Sequence, residues 1–392
     1  MTARRRARPD RRESIIWELI RATLVLVAIV SATGLLLRIG GYGVGGGLAA
    51  LWSGSLGSWY AFTSATLVRA VPLMLTGVAV AIAFRAGVLN IGAEGQLLAG
   101  AAAATVVTLV PHDGPWAAVV ILLALFASAV GGAAWASIAA FLRARFAVLE
   151  VISTIMLNFV ALHGVSFLVR GPLQEPTHAY PQSSTIRDAI HLPRIAGAGR
   201  LHVGIVLAVS VSLVAGWMLR RTAAGFRLIA AGESASVATT AGGIDVMATT
   251  TRAFLTSGAL AGVAGGVELL GVTFALYENI SPGYGYTAIA VALLARLDPW
   301  RVALTAVLFG ALEAGAGAMQ RDAGVPSTLV AVIEAALILA VVAGGALRRR
   351  PARQDTAPTS VLTPGTPDAR LSMSATGVPS LREVSRNTSE AA

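Results

Sequence analysis

Long runs of apolar residues alternate with short polar segments along most of the chain. A helix of about 20 apolar residues crosses a hydrocarbon core of about 30 Å, and most of these runs reach that length. Barrel strands alternate in hydrophobicity over about 10 residues, a pattern that these runs do not follow. We therefore predict an all-α, polytopic membrane helix bundle with about ten transmembrane helices. The predicted spans are residues 15–37, 65–84, 91–110, 116–142, 150–169, 203–219, 252–276, 286–297, 302–319 and 327–347.

Positive charge is concentrated at the ends of these runs. The chain has 30 basic residues, and every one is an arginine. When the spans alternate in direction, most of the arginines fall on the side that holds both ends of the chain. Cytoplasmic loops carry such an excess, so both termini are predicted to be cytoplasmic. Aromatic residues are not interleaved with the arginines, so no nucleic acid is expected as a partner.

The charge and turn patterns divide the chain into three parts. A basic cytoplasmic segment precedes the transmembrane domain, and a tail rich in Pro, Ser and Thr follows it and is predicted to be disordered and cytoplasmic. The predicted parts are residues 1–14, 15–350 and 351–392. Within the transmembrane domain, the predicted external loops are residues 38–64 and 171–202, and the largest cytoplasmic loop is residues 220–251.

Composition excludes several classes of function. The chain is 55% hydrophobic and 13% charged, which is typical of a membrane protein. It has no cysteine, so disulfides and cysteine-ligated zinc are impossible, and no lysine, which a Walker A loop requires at the β- and γ-phosphates. Its 5 histidines lack metal-ligand spacing. We therefore predict no enzyme activity, no metal site and no cofactor.

One segment interrupts two apolar runs with glycines and polar residues. It contains Asn90, Glu94 and Gln96, and polar residues inside a membrane are costly unless they serve a purpose. Glycine-broken spans often line a solute path, so these residues are candidates for a translocation pathway. The alternative is a cytoplasmic loop in which Glu94 stabilises a helix N-terminus.

A second polar group follows one face of a helix. Glu150, Thr154 and Asn158 are spaced four residues apart, which places them on the same side. We predict that Thr154 and Asn158 line the pathway, although such a stripe also bonds neighbouring helices.

Later spans carry carboxylates and one further break. Glu268, Glu313 and Glu334 lie within apolar runs, where they serve either as proton relays or in bonds between helices. A Pro- and Gly-rich segment precedes a short apolar run, and we predict that it forms a gate or re-entrant element. The gate residues are Pro282, Gly283, Tyr284 and Gly285.

The largest cytoplasmic loop contains a stretch of small residues, Gly232–Ile244. This stretch predicts a short surface helix that ends at Gly242 or Gly243. It is either a docking surface for another protein or an ordinary connector.

These motifs together resemble the permease subunits of bacterial ABC importers for nucleosides, within a larger family that carries simple sugars and branched-chain amino acids. The matching segments are Phe84–Gly100, Glu150–Phe159, Gly232–Ile244 and Ser281–Leu297. The resemblance implies an importer in the bacterial inner membrane, with separate ABC ATPase subunits and an external substrate-binding protein. A second, shorter permease is expected to form a heterodimer with this chain. The resemblance also implies that Gly232, Glu233, Ala238 and Gly242 form the coupling loop seated on the ATPase.

The leading prediction is therefore a permease subunit that forms the translocation pathway for nucleosides or a related sugar-like solute. It is surrounded by membrane lipid and lacks ATPase motifs of its own. The alternative is a proton-coupled secondary transporter of a small polar solute, with Glu94 or Glu268 as the relay.

Overall fold

A computed structural model describes residues 27, 30–110, 116–197 and 199–346 of the chain. Helices dominate these residues, and within them β-structure is limited to isolated bridges such as the one between Gln174 and Ser183. The predicted basic segment 1–14 and the predicted tail 351–392 lie outside the described residues. The predicted all-α fold class is confirmed for the part that is described.

Most of the predicted spans correspond to helices whose ends lie within a few residues of the predicted limits. In chain order, the helices are α1 (Val30–Ile39), α2 (Val44–Ser55), α3 (Trp59–Arg85), α4 (Ala93–Thr108), α5 (Ala117–Phe146), α6 (Glu150–Arg170), α7 (Gly204–Arg221), α8 (Ala223–Glu233), α9 (Ala235–Thr240), α10 (Val246–Thr273), α11 (Tyr284–Leu294), α12 (Pro299–Asp322) and α13 (Ser327–Ala346). Two of these helices contain a π-helical turn, at Phe62–Leu67 in α3 and at Leu269–Thr273 in α10.

Within the described ranges, 6 helices are both long and apolar enough to cross a membrane: α3, α5, α6, α7, α10 and α12. The predicted number of about ten spans is therefore not confirmed, and most of the first predicted span, residues 15–37, lies outside the described residues. Helix α4 has 16 residues and α11 has 11. At about 1.5 Å per residue, each is shorter than a hydrocarbon core of about 30 Å. Both follow a break in the chain, and we call them half-helices for their length.

The segment 38–64, predicted as an external loop, is largely helical. It contains α2 and the first residues of α3. Helix α2 packs on α12, where a Cβ on Gly54 would lie 2.1 Å from the Cβ of Ala318. Glycine has a low intrinsic helix propensity. This glycine-rich segment is nevertheless helical, and it packs closely against α12.

The helices form a buried centre and an outer layer. In the most apolar window of α3, 83% of the residues are buried, compared with 22% in α5. Helix α10 is also central and packs closely on α4 and α5. A Cβ on Gly262 would lie 2.1 Å from the carbonyl oxygen of Ser128, so only a glycine allows this approach. The outer faces of α5, α6 and α7 are apolar and exposed, as contact with lipid requires.

The two ends of the bundle differ. Residues 171–197 and 199–202 cover one end, where the Ser183 N–H donates to the Leu276 carbonyl at 2.8 Å. The 3-10 turn Asp188–Ile190 belongs to this cover. The short helices α8 and α9 lie at the opposite end, where Arg220 pairs with Asp298. We refer to these as the loop-covered end and the α8–α9 end.

Candidate functional site

The break between α3 and α4 is held by a pair of buried amides. Asn90 Nδ2 donates to Gln96 Oε1 at 2.9 Å, and Gln96 Nε2 donates back to Asn90 Oδ1 at 3.0 Å. Asn90 Nδ2 also donates to the Ser257 hydroxyl of α10 at 2.9 Å. The Gly92 N–H donates to Asn90 Oδ1 at 3.0 Å. Asn90 thus supplies an acceptor for one backbone N–H at the break.

Helix α6 supplies a second amide to the same break. Asn158 Oδ1 accepts the Gly95 N–H at 2.8 Å, and Asn158 Nδ2 donates to the Ile91 carbonyl at 3.0 Å. The first turn of a helix has N–H groups without partners in the helix, and Asn158 satisfies one of them. The Thr154 hydroxyl donates to the carbonyl of Glu150 at 2.6 Å. Its hydroxyl hydrogen is therefore used within its own helix.

The first turn of α4 also meets the first turn of α11. The Gly285 N–H donates to Glu94 Oε2 at 2.7 Å. A Cβ on Gly285 would lie 2.2 Å from the Glu94 backbone nitrogen, so the two backbones approach as closely as they can. Glu94 therefore bonds a half-helix that is remote in sequence.

The structure brings together Asn90, Glu94, Gln96 and Asn158, with Thr154 beside them. We call these five residues the amide cluster. Each is buried, with exposed fractions between 0% and 7%. Their hydrogen bonds join α4, α6, α10 and α11. None of the five lines the large cavity of the bundle.

That cavity lies toward the loop-covered end and has a volume of about 470 Å³. Ionisable side chains from four separate segments line it: Arg69 of α3, Arg200 of the loop, Glu268 of α10 and Glu313 of α12. The formal charges of these four residues balance. The volume falls within the range of small-molecule sites, which is about 300–1,000 Å³.

Aromatic and amide side chains complete the wall. Tyr277, Asn279, Tyr284 and Gln320 line the cavity. Two of the predicted gate residues, Pro282 and Tyr284, also line it. Gly283 and Gly285 instead shape the start of α11, Gly283 with a φ of 102° and Gly285 through its contact with Glu94.

Both π-helical turns lie beside this cavity. Ser64 of the turn in α3 and Val272 of the turn in α10 line it, and Glu268 immediately precedes the second turn. Turns of this kind are rare and are often found at functional sites. The sequence did not reveal the cavity because Arg69, Arg200, Glu268 and Glu313 are far apart along the chain. The one hint in the sequence was Arg69, an arginine inside the apolar run 65–84.

The segment Gly232–Ile244 forms the end of α8 and the short helix α9. The side chain of Ser234 caps α9 by accepting from the Val237 N–H. Gly243 has a φ of 59°, and its N–H donates to the Thr239 carbonyl at 3.2 Å, which closes the C-terminus. Among the predicted coupling residues, Ala238 is buried, whereas Glu233 and Gly242 are exposed.

Gly232 brings α8 into close contact with the end of α3. A Cβ on Gly232 would lie 2.1 Å from the Arg85 carbonyl oxygen. The Arg85 side chain donates from Nε to the Leu297 carbonyl at 3.1 Å and from Nη2 to the Arg296 carbonyl at 3.3 Å. These carbonyls follow the last turn of α11, where a cation is favourable. Helix α11 thus runs from this contact to Tyr284 in the cavity wall.

Several titratable groups at the loop-covered end have shifted pKa values, among them Glu278 and His202. Hydrogen bonds from Arg170 and Ser166 lower the pKa of Glu278 to about 2. Burial lowers the pKa of His202 to about 4, and its Nε2 has no hydrogen-bond partner in the described part of the chain. Glu278 is therefore ionised and His202 neutral near pH 7.

A helical membrane bundle with broken helices, a polar cavity toward one end and a short exposed helix at the other defines a membrane permease. The chain belongs to the family described as branched-chain amino acid transport system / permease component, whose profile matches residues 62–342. It is a permease subunit of an ABC importer. Family membership implies an ATPase partner and a substrate-binding protein.

Several curated relatives are similar over most of their length. The chain is 38% identical over 330 residues to the guanosine ABC transporter permease protein NupP of Bacillus subtilis (strain 168), covering 82% of this chain and 93% of the relative. It is 37% identical to the glucose ABC transporter permease protein TsgB13 of Haloferax volcanii, covering 72% and 76%. It is 30% identical to the nucleoside ABC transporter permease protein NupB of Lactococcus lactis subsp. cremoris, covering 70% and 77%. No solved structure matches the chain.

Proposed function

We propose that this chain forms the translocation pathway for nucleosides in an ABC importer of the bacterial inner membrane. The observation that carries the proposal is the cavity of about 470 Å³, whose balanced charges and tyrosine rings suit a neutral solute with a flat heterocycle and hydroxyl groups. Similarity to a guanosine permease over 93% of that relative supports a nucleoside. A sugar-like solute shares the hydroxyl groups and is the related candidate.

The loop-covered end faces the outside in this proposal, and the α8–α9 end faces the cytoplasm. The excess of arginines on the α8–α9 side supports this orientation, in which both termini are cytoplasmic. An external binding protein delivers the solute to the cavity. Exposed residues of α9, such as Val237 and Thr240, contact the ATPase subunit. A second, shorter permease forms a heterodimer with this chain.

Helix α11 transmits the motion of the ATPase to the cavity. Movement of α9 displaces Gly232, which is in close contact with Arg85, and Arg85 bonds the C-terminal end of α11. The other end of α11 carries Tyr284 in the cavity wall. In this proposal the segment Pro282–Gly285 is the gate, and the amide cluster lies along the path that opens when α11 moves away from α4.

Reconstitution tests this function. The chain is incorporated into proteoliposomes with its ATPase, its second permease and its binding protein, and uptake of radiolabelled guanosine is measured. We expect uptake that requires both ATP and the binding protein and that persists when a protonophore collapses the proton gradient. Uptake at full rate without ATP, abolished by the protonophore, would contradict the proposal and favour the proton-coupled transporter.

A further inference from the structure

We propose that the Glu268 carboxylate holds the solute in the cavity by accepting hydrogen bonds from two adjacent O–H or N–H donors. This inference rests on the proposed function, in which the solute is a nucleoside. A nucleoside offers such a pair in the 2′- and 3′-hydroxyls of ribose, and guanosine offers a second pair in the N–H groups at one edge of its base. The shared chemistry is a pair of neighbouring donors opposite one carboxylate.

Glu268 is a buried acceptor whose carboxylate has no hydrogen-bond donor among the residues that the structure describes. It is 4% exposed and lines the cavity. Among the described residues, no hydrogen bond or ion pair reaches its carboxylate, although Arg69 and Arg200 are close enough to act on it electrostatically. Burying a carboxylate without hydrogen bonds is unfavourable. A ligand in the cavity supplies the missing donors.

Two other acidic residues that the structure describes in this part of the bundle, Glu94 and Glu313, have partners. Glu94 is similarly buried, but its carboxylate accepts the Gly285 N–H. Glu313 lines the same cavity, but it has an interaction within the chain. The comparison identifies Glu268 as the carboxylate whose hydrogen-bonding capacity remains for a solute.

The local backbone presents Glu268 to the cavity. The π-helical turn Leu269–Thr273 begins at the next residue, and Val272 of that turn also lines the cavity. Arg69, Arg200 and Glu313 line the same cavity as Glu268, so the formal charges of these four residues sum to zero and a neutral solute adds none. Tyr277 and Tyr284 line the same space and offer flat faces to a heterocycle.

The test compares Glu268→Gln with the wild-type chain in the complete reconstituted importer. Glutamine has nearly the same shape, but one acceptor oxygen becomes an N–H donor that faces the solute donors. We expect uptake of subsaturating guanosine to fall by about 10- to 100-fold, the range for losing hydrogen bonds to a charged group. Asp322→Asn is the matched control because it makes the same exchange at an exposed residue that does not line the cavity, and its uptake should equal that of wild type.

Competition separates the two donor pairs. The wild-type and variant importers are compared with guanosine, 2′-deoxyguanosine and inosine. If Glu268 binds the ribose hydroxyls, the wild-type preference for guanosine over 2′-deoxyguanosine disappears in the variant. If it binds the base edge, the preference for guanosine over inosine disappears instead. Either result supports the inference.

The outcomes that overturn the inference are distinct from failure of the proposed function. Wild-type uptake without any requirement for ATP would overturn the proposed function. ATP-dependent wild-type uptake, together with unchanged uptake and unchanged preferences in Glu268→Gln, would overturn the inference alone. Co-purification with the ATPase subunit establishes that the variant assembles. If Glu268→Gln does not assemble, Glu268→Asp replaces it, and wild-type preferences with wild-type uptake in that variant overturn the inference.

Discussion

The Gly285 N–H donates to the Glu94 carboxylate at 2.7 Å, across 191 residues of sequence. Glu94 lies in the first turn of α4 and Gly285 in the first turn of α11, so one carboxylate serves the positive ends of two half-helices. Because a broken helix leaves N–H groups without partners, this bond is part of what holds both half-helices inside the bundle. It also joins a helix of the amide cluster to the helix that carries Tyr284.

Replacing Gly285 with alanine should destabilise the protein. The new Cβ would lie 2.2 Å from the Glu94 backbone nitrogen, so α11 must shift away from α4. Overpacking of this kind costs about 1–3 kcal/mol. A lower midpoint of thermal unfolding in detergent measures the effect. Gly164→Ala is the control, since a Cβ there meets nothing within 4 Å. If Gly285→Ala and Gly164→Ala have the same midpoint of thermal unfolding, the close approach of Gly285 to the Glu94 backbone is contradicted.

Two substitutions of Glu94 separate a structural carboxylate from a proton relay. Glu94→Gln keeps an oxygen that accepts the Gly285 N–H, so we expect the variant to assemble and to retain most of its guanosine uptake. Glu94→Leu removes the acceptor and leaves a buried N–H unsatisfied, at a cost of about 1–3 kcal/mol. Thermal unfolding and uptake are measured for both. Full assembly of Glu94→Gln with complete loss of uptake would favour the relay.

Gly232→Ala should uncouple ATP hydrolysis from transport. The added Cβ would lie 2.1 Å from the Arg85 carbonyl oxygen, so α8 must separate from the end of α3. We expect guanosine uptake per ATP hydrolysed to fall at least several-fold in proteoliposomes. Gly46→Ala, in an open position on α2, should leave the ratio unchanged. A wild-type ratio in Gly232→Ala would exclude this contact from the coupling route.

The Arg170–Glu278 pair predicts a specific dependence of stability on pH. The pKa of Glu278 falls from 4.5 to about 2 because Arg170 and Ser166 donate hydrogen bonds to it. Its folded-state pKa is depressed, so its stabilising contribution is complete above about pH 4.5 and is lost as the pH falls toward 2. Arg170→Gln should therefore lower the thermal midpoint near pH 7 and have a smaller effect near pH 3.

The background for this comparison is Glu278→Gln, which cannot titrate at this position. In that background, the effect of Arg170→Gln should not vary between pH 7 and pH 3. The prediction fails if the difference in thermal midpoint between wild type and Arg170→Gln is the same at pH 7 and pH 3. The pair would then not stabilise the protein through ionised Glu278.

Hydropathy alone was enough to position most of the helices. Continuous apolar runs can satisfy their backbone in a membrane only as helices, so the predicted span 91–110 corresponds to α4 and 150–169 to α6. Pattern also predicted the glycine break before α4 and the short apolar run at α11. It did not predict that their first turns meet through Glu94 and Gly285, which come together only after the chain has folded.

Residue type indicated which positions are exceptional, because Asn90, Gln96, Asn158 and Glu268 stand out in apolar runs. These residues differ in whether their polar groups are already bonded within the chain. The amide groups of Asn90 and Gln96 bond to each other, whereas Glu268 lines a cavity with Arg69 and Arg200. Sequence thus established a helical membrane protein with polar breaks, since hydropathy and residue chemistry are local properties. Which polar groups are already bonded and which face open space depends on contacts between distant segments, and only the folded chain creates those contacts.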